Sequence, residues 1–284
     1  MIMLILFQRK TNLSDLSILH LILFSGLLTE FDVKNQVPSD IGVDQLFLPP
    51  NNFETQSCIN GISKWTSDNL MRLNESKCNY MVFSRSNTEF VTRLHINDHL
   101  LEKVESIKLL GMHISQDLSW DRNCQEICRR AYSRLSLLTK LKYAGISTED
   151  LVEIYILFIR SIIEYCAVVY HSSLTVKQSE KLESIQKTCL RVILGDMYVS
   201  YTAALEMTGL QTLYDRRQDR CLKFALKCTK IPLGKRLFPL NHVDNGRSIR
   251  SREKFKVNFA RTEDYRKSTV PFCQQLLNQH FKSN

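Results

Sequence analysis

At Trp120 the spacing of apolar residues changes from strict alternation to a repeat of 3.6, and it stays helical as far as residue 228. Short apolar runs and turn signals precede that point. Beyond it, Cys124, Ile127, Cys128, Ala131, Leu135, Leu138 and Leu141 mark one face of a helix. A chain with strands first and helices after is expected to be α+β, with the helices packed on one another. Asp121 sits in the first turn of this helix, Lys140 and Lys142 in the last, and Gly145 terminates it. Ser147-Thr148-Glu149-Asp150 then offers an N-cap for a helix reaching Tyr170, apolar at 16 of 20 positions from Leu151. Glu153, Arg160 and Glu164 interrupt that run, and charges in mid-span are costly in lipid, so a buried bundle helix is expected and no membrane span. A third helix over residues 176–194 ends at Gly195, and a fourth over residues 213–228 ends before Pro232. Short connections between them suit an antiparallel helical bundle.

Upstream, the two apolar runs of residues 1–28 fit buried strands, with helix left open as the alternative. Neither resembles a signal peptide, because the charges of Arg9 and Lys10 follow the first run and the second is short and contains His20. Residues 31–52 carry Pro38, Gly42, Pro49 and Pro50 and read as a loop. Ile59, Ile62, Trp65, Met71 and Leu73 recur at helical spacing, which predicts a helix over residues 53–73. Residues 80–84 form a short strand, and Phe90, Leu94 and Ile96 alternate with polar neighbours. Asn97-Asp98 turns into a return segment over residues 100–104. Residues 107–114 are expected as one further strand, with Gly111 at a bend.

Charge is unevenly distributed. The net charge is +9, yet residues 216–267 hold 16 basic and 5 acidic residues while residues 1–215 are slightly acidic. A local basic excess suits an anionic partner. The nine cysteines are an odd number without a CxxC pair, which points to free thiols in an intracellular, reducing compartment and to no structural zinc. Cys124 and Cys128, four apart on one helical face, are expected in the core.

The residues also carry a resemblance. Asn74-Glu75-Ser76-Lys77-Cys78-Asn79-Tyr80-Met81-Val82-Phe83, preceded by Trp65 and Asn69, resembles the pattern that follows the polymerase centre in reverse transcriptases of non-LTR retrotransposons. Lys108-Leu109-Leu110-Gly111 is similar to that family's primer-grip box, with Leu109 in place of the usual aromatic. Leu118-Ser119-Trp120, Ile154-Tyr155 with Arg160, Glu164-Tyr165 and Tyr170, then Leu182-Glu183, Ile185-Gln186-Lys187 and Arg191, and finally Gly209-Leu210, Leu213 and Arg216-Arg217 follow in the family's order. The match spans residues 59–228. Residues 118–170 also resemble the N-terminal segment of an AlkB-type tRNA-modifying enzyme. An oxygenase of that type needs two His and one carboxylate around iron. His242, Asp244 and His280 are the formal candidates, but no strand framework or downstream arginine supports them.

The first resemblance implies a partial palm with a short β-hairpin region, followed by a mainly α-helical, thumb-like bundle. The divisions are residues 1–52 as a degenerate palm remnant and loop, 53–118 as palm helix and primer-grip hairpin, 119–231 as the thumb-like bundle, and 232–284 as a basic, partly disordered tail. A last helix is expected over residues 270–281. Ser14-Asp15 falls where the family has two aspartates, so Asp15 is a vestige of the catalytic turn. Nucleotide transfer uses clustered carboxylates to hold two Mg²⁺ ions, and a serine supplies no charge to hold them. On this resemblance the other metal-binding aspartate and the fingers would precede the first residue. No cofactor is therefore expected for this chain alone, although an intact family member uses Mg²⁺, and no metal site is expected.

What remains is binding of RNA/DNA duplex or single-stranded nucleic acid. Lys108 and Gly111 would seat a primer end; Arg129, Arg130 and Arg134, expected opposite Leu135 and Leu138 with Lys140 and Lys142 beyond, would track phosphates; Arg216, Arg217 and Arg220 would add a second contact. Trp65, Trp120 and Tyr165 are expected as packing anchors. The competing reading is a non-enzymatic helical interaction module, or a decayed transposon product, in which these charges are solvated helix faces.

Overall fold

The structure is a computed structural model and describes residues 3–7, 47–48, 52–70, 73–83, 93–241 and 253–283. It belongs to the α+β class, mostly helical with a few short strands. The chain divides between Ser119 and Trp120 into two compact units.

In the first unit, β1 (Met3–Phe7) lies between β2 (Phe47–Leu48) and β3 (Asn79–Phe83), and β6 (Glu102–Lys103) pairs with the other edge of β3. All three pairings are parallel, with Met3 opposite Asn79 and Phe7 opposite Phe83. Parallel neighbours need a crossover. Between β2 and β3 that crossover contains α1 (Asn52–Asp68), which packs Ile59 against Cys78, Tyr80, Val82, Leu94, Ile96 and Leu101. The helix stops short of residue 73, because Leu70 takes a left-handed φ of 56° and the side-chain amide of Asn69 donates to the Trp65 carbonyl. The Gln56 side chain reaches the backbone of β4 (His95–Ile96), donating to the His95 carbonyl and accepting from its N–H, so an otherwise open strand edge is satisfied.

β4 and β5 (His99–Leu100) make the expected hairpin at Asn97-Asp98. Its return is shorter than residues 100–104: after Leu100 the chain leaves the hairpin, and Glu102–Lys103 joins β3 instead. The Val104 N–H donates to the Tyr80 carbonyl at 2.9 Å and continues that pairing. The expected single strand over residues 107–114 is two strands, β7 (Ser106–Leu109) and β8 (Met112–Ser115), paired antiparallel. The second apolar run of the first 28 residues, and Ser14-Asp15 within the interval before it, lie outside the described residues.

The second unit opens with α2 (Asp121–Tyr143), which buries Cys124, Ile127, Cys128, Ala131 and Leu138. Gly145, at φ 81°, follows its end as expected. Ser147 caps α3 (Thr148–Ile154) by accepting from the Asp150 N–H. The expected continuous helix to Tyr170 is instead widened by a π-helical turn and broken once, at Tyr165-Cys166. A π-helical turn, Tyr155–Arg160, follows α3, and α4 (Ser161–Glu164) ends where Tyr165 is extended and Cys166 is left-handed at φ 50°. The chain resumes as α5 (Ala167–Tyr170). The hydroxyl of Tyr170, buried beside Trp120, donates to the Ile163 carbonyl and holds that break.

α6 (Val176–Leu194) begins with a reciprocal capping box between Thr175 and Gln178 and ends at Gly195, matching the sequence reading. The short α7 (Tyr201–Thr208) was not expected, and α8 (Leu213–Cys228) has the expected bounds. Glu183 of α6 accepts from the Leu213 and Tyr214 N–H groups at 3.0 and 3.2 Å and from the Tyr201 hydroxyl, so one carboxylate caps α8 and anchors α7. Gln186 adds to this network, accepting from the Tyr155 hydroxyl at 2.5 Å and donating to the Gln211 carbonyl.

The described part of the segment expected as a partly disordered tail packs on α8. α9 (Pro232–Leu237), α10 (Glu263–Arg266) and α11 (Thr269–Ser283) follow in order. Phe238, Phe255, Val270, Cys273, Leu276 and Leu277 share one buried cluster with Cys221, Ala225 and Cys228. Gly234 permits the tight turn onto α9, since a Cβ there would stand 2.0 Å from the Cys228 carbonyl oxygen. Hydrophobic burial overrides the local basic excess, because the charges of this segment can face water while its apolar residues turn inward. No helix among the described residues is long and apolar enough to cross a membrane.

Candidate nucleic-acid interface

In the first unit, β7 and β8 pair Ser106 with Ser115 and Leu109 with Met112, leaving Leu110-Gly111 as the two-residue turn. Both turn residues have positive φ, 47° and 83°. That is the backbone of a hairpin turn whose twist matches its strands. Leu109, Met112 and Ile114 point into the core, while Lys108, Leu110 and Gly111 are exposed. A leucine in the left-handed region is strained by its Cβ, and here it stands 47% exposed at the tip. Lys108 and Gly111 thus lie on one hairpin, both exposed.

In the second unit, α2 carries Arg129, Arg130, Arg134 and Lys140 in solvent, with Lys142 half-buried. They do not form one stripe. Arg129 and Arg134 are five positions apart, which at about 100° per residue separates them by about 140° around the helix. Arg129 is held by Glu126 through two hydrogen bonds of 2.8 Å, and that bond raises its pKa. No ion pair among the described residues engages Arg130, Arg134, Lys140 or Lys142. Phosphates could be tracked by Arg130 and Arg134 without breaking an internal bond.

The arginines of α8 have a different fate. Arg217 is fully buried: its Nε donates to His171 Nδ1 at 3.3 Å, one terminal nitrogen donates to Ser179 Oγ at 2.9 Å, and the other has no partner among the described residues. Arg217 is therefore not available to a ligand, which corrects its assignment as a nucleic-acid contact. Its environment acts on His171, whose pKa is pushed down to about 4 by burial and by the neighbouring guanidinium. The imidazole packs edge-on against Tyr214 and Phe272.

Arg216 and Arg220, one turn apart, both close on Glu164. Arg216 Nε lies 2.5 Å from one carboxylate oxygen and its Nη2 3.2 Å from the other, while Arg220 Nη2 reaches the second oxygen at 2.8 Å. Arg160 approaches the same carboxylate at 3.9 Å. Burial alone would raise the Glu164 pKa, but the hydrogen bond from Arg216 and the three positive charges lower it overall. The sequence reading has Arg160 and Glu164 as interruptions of an apolar run and as members of the family's motif series, and assigns neither a partner. Their i, i+4 spacing was the available signal, whereas Arg216 lies 52 residues away from Glu164, with Arg220 one turn further on, and neither gave one.

Trp120 is buried against Tyr170, as a packing anchor should be, whereas Tyr165 is 49% exposed and is not one. Eight cysteines among the described residues are free, and burial pushes the Cys124 thiol up to about 12, with Cys128 adding to the effect. Such thiols are inert packing groups. Asp15, His242 and Asp244 lie outside the described residues, and His280 is half-buried on α11. Among the described residues no group of three His, Cys, Asp or Glu side chains converges to hold a metal ion. No protein-family model matches this chain, and neither a curated protein nor a solved structure is significantly similar to it.

Proposed function

We propose that this chain is a relative of the non-LTR reverse transcriptases, carrying primer-grip-like and thumb-like parts that bind a template–primer duplex, and that it does not extend primers by itself. The reading is supported above all by the exposed Lys108–Gly111 turn, a hairpin tip at the point in the ordered motif series where that family has its primer grip. Arg130 and Arg134 add positive charge without internal partners among the described residues. Such residues bind phosphates by charge, reading duplex shape more than sequence. Inactivity rests on Ser14, which replaces the carboxylate that a two-metal centre requires.

The test is binding of an RNA–DNA hybrid duplex by the full chain across a salt series. Micromolar affinity that falls steeply between about 50 and 200 mM salt is expected. Absence of binding at low salt removes the nucleic-acid reading and leaves a helical interaction module. Primer extension on an RNA template with Mg²⁺ or Mn²⁺ tests the second half: extension abolished by Asp15→Asn would overturn the inactive assignment.

A further inference from the structure

We propose that Arg160, Arg216 and Arg220, gathered on Glu164, form a binding site for a phosphoryl oxyanion. The four side chains come from the π-helical turn, α4 and α8 within the second unit. Three guanidiniums meet one carboxylate, so the cluster carries a net charge of +2. Asp219 on the same helix acts on Arg216 only as the weakest of its influences, and among the described residues it joins none of the three in an ion pair.

The geometry shows that Glu164 is already satisfied. Arg216 binds it through both carboxylate oxygens, which is the complete two-point match of a guanidinium to a carboxylate. Arg220 then adds a second cation to an oxygen already in use, and Arg160 stops at 3.9 Å, beyond hydrogen-bond range. Among the described residues, Arg160 and Arg220 make no polar contact other than with Glu164, so most of their N–H forks stay open there. Side-chain exposure rises from 3% at Glu164 through 12% at Arg160 and 25% at Arg216 to 49% at Arg220. The cluster thus has a floor and an open side, with Arg220 at the mouth. Bringing like charges together at a partly buried position is unfavourable unless an anion joins them. Accordingly, the Arg160 pKa is lowered first by burial and next by Arg216.

The excess charge and the number of free donors select the ligand class. A second carboxylate holds its two acceptor oxygens in one plane, which matches one guanidinium fork and leaves the other unmatched. A phosphoryl group offers more acceptor oxygens in a tetrahedron and up to two negative charges, and planar guanidinium forks suit it. A free phosphate or phosphomonoester supplies that chemistry, and so does a phosphodiester. A free oxyanion suffices, so the site does not depend on the chain binding a nucleic-acid duplex.

The experiment is calorimetric titration of the full chain with inorganic phosphate and, in a second arm, with a dithymidine phosphodiester, at constant ionic strength held with chloride. Saturable binding of at least one probe is expected, and Arg220→Gln should weaken it by about tenfold, the worth of one charge-assisted hydrogen bond. Lys177→Gln, an exposed change on α6, should leave binding unaltered. Arg220 is half exposed, so its variant keeps the fold; a far-ultraviolet dichroism spectrum verifies this, and Arg160→Gln serves as a second variant of the same test. Tighter binding of inorganic phosphate supports a free-phosphate or monoester site, and equal or tighter binding of the diester supports a backbone contact. No saturable binding of either probe, or equal binding by Arg220→Gln and the unaltered chain, overturns the proposal.

Discussion

On α2, Arg130 and Arg134 stand in solvent, whereas on α8 Arg216 and Arg220 close on a buried carboxylate and Arg217 is sealed beside His171 and Ser179. Both helices have a polar, basic stretch between apolar positions. Their surroundings differ. α8 packs against α5, α6, α9 and α11, so its buried Arg217 and half-buried Arg216 find acceptors inside the unit, while Lys223 and Lys227 on the same helix stay exposed. The exposed arginines of α2 keep full hydration and need no such acceptor. A count of basic residues therefore overstates the surface offered to a polyanion, because a fully buried cation such as Arg217 is out of its reach.

The sharpest way to break that contrast is at Glu164. Glu164→Ala strands three guanidiniums and should cost about 3–5 kcal/mol in urea unfolding, the scale of a broken buried pair; a cost like that of an exposed change would make the cluster superficial. Next is the pH response of His171. Its folded pKa of about 4 lies below the ordinary 6.5, so the unfolded chain takes up the proton first. This stability is complete above about pH 6.5 and is lost as pH falls toward 4, in total about 3 kcal/mol. The difference between the unaltered chain and His171→Gln across that window isolates the term from other titrations; parallel curves would refute it.

Arg217→Met comes third. It removes a buried cation that has no carboxylate partner among the described residues, together with two hydrogen bonds, so the opposing terms should leave a loss below about 2 kcal/mol. A loss matching that of Glu164→Ala would show that buried cations on α8 are supported equally. Leu110→Gly relieves the left-handed leucine and should raise stability by about 1 kcal/mol, read as a higher melting temperature. The same change should weaken duplex binding if the hairpin tip touches the primer. Last, Arg130→Gln should alter stability by less than about 0.5 kcal/mol while lowering the salt slope of duplex binding by about 1.

Local signals carried much of the helical unit. Thr175 with Gln178, Gly195, and the Leu213 to Cys228 period are cap and repeat features within a single element, and they delimit α6 and α8 in sequence. The failures share a different physical origin. Leu110-Gly111 lacks the Asn-Gly or Asp-Gly pair that announces a two-residue turn, so alternation reads straight through it. The break at Tyr165-Cys166 is held by the Tyr170 hydroxyl, a contact that an apolar repeat does not encode. For the candidate site, Lys108 beside Gly111 could be placed from neighbours in the chain. Arg216 and Arg217 could not, since their fates depend on Glu164, His171 and Ser179, which only tertiary packing brings near.

The carboxylate of Glu183 has a kinetic consequence. Amide protons at the start of a helix ordinarily have no intrahelical acceptor and trade with water quickly. Those of Leu213 and Tyr214 are instead held by a side chain of another helix, so their exchange with deuterium is slowed until the Glu183 contact between α6 and α8 opens. Their exchange rates thus serve as a clock for the opening of the second unit, read at two backbone positions.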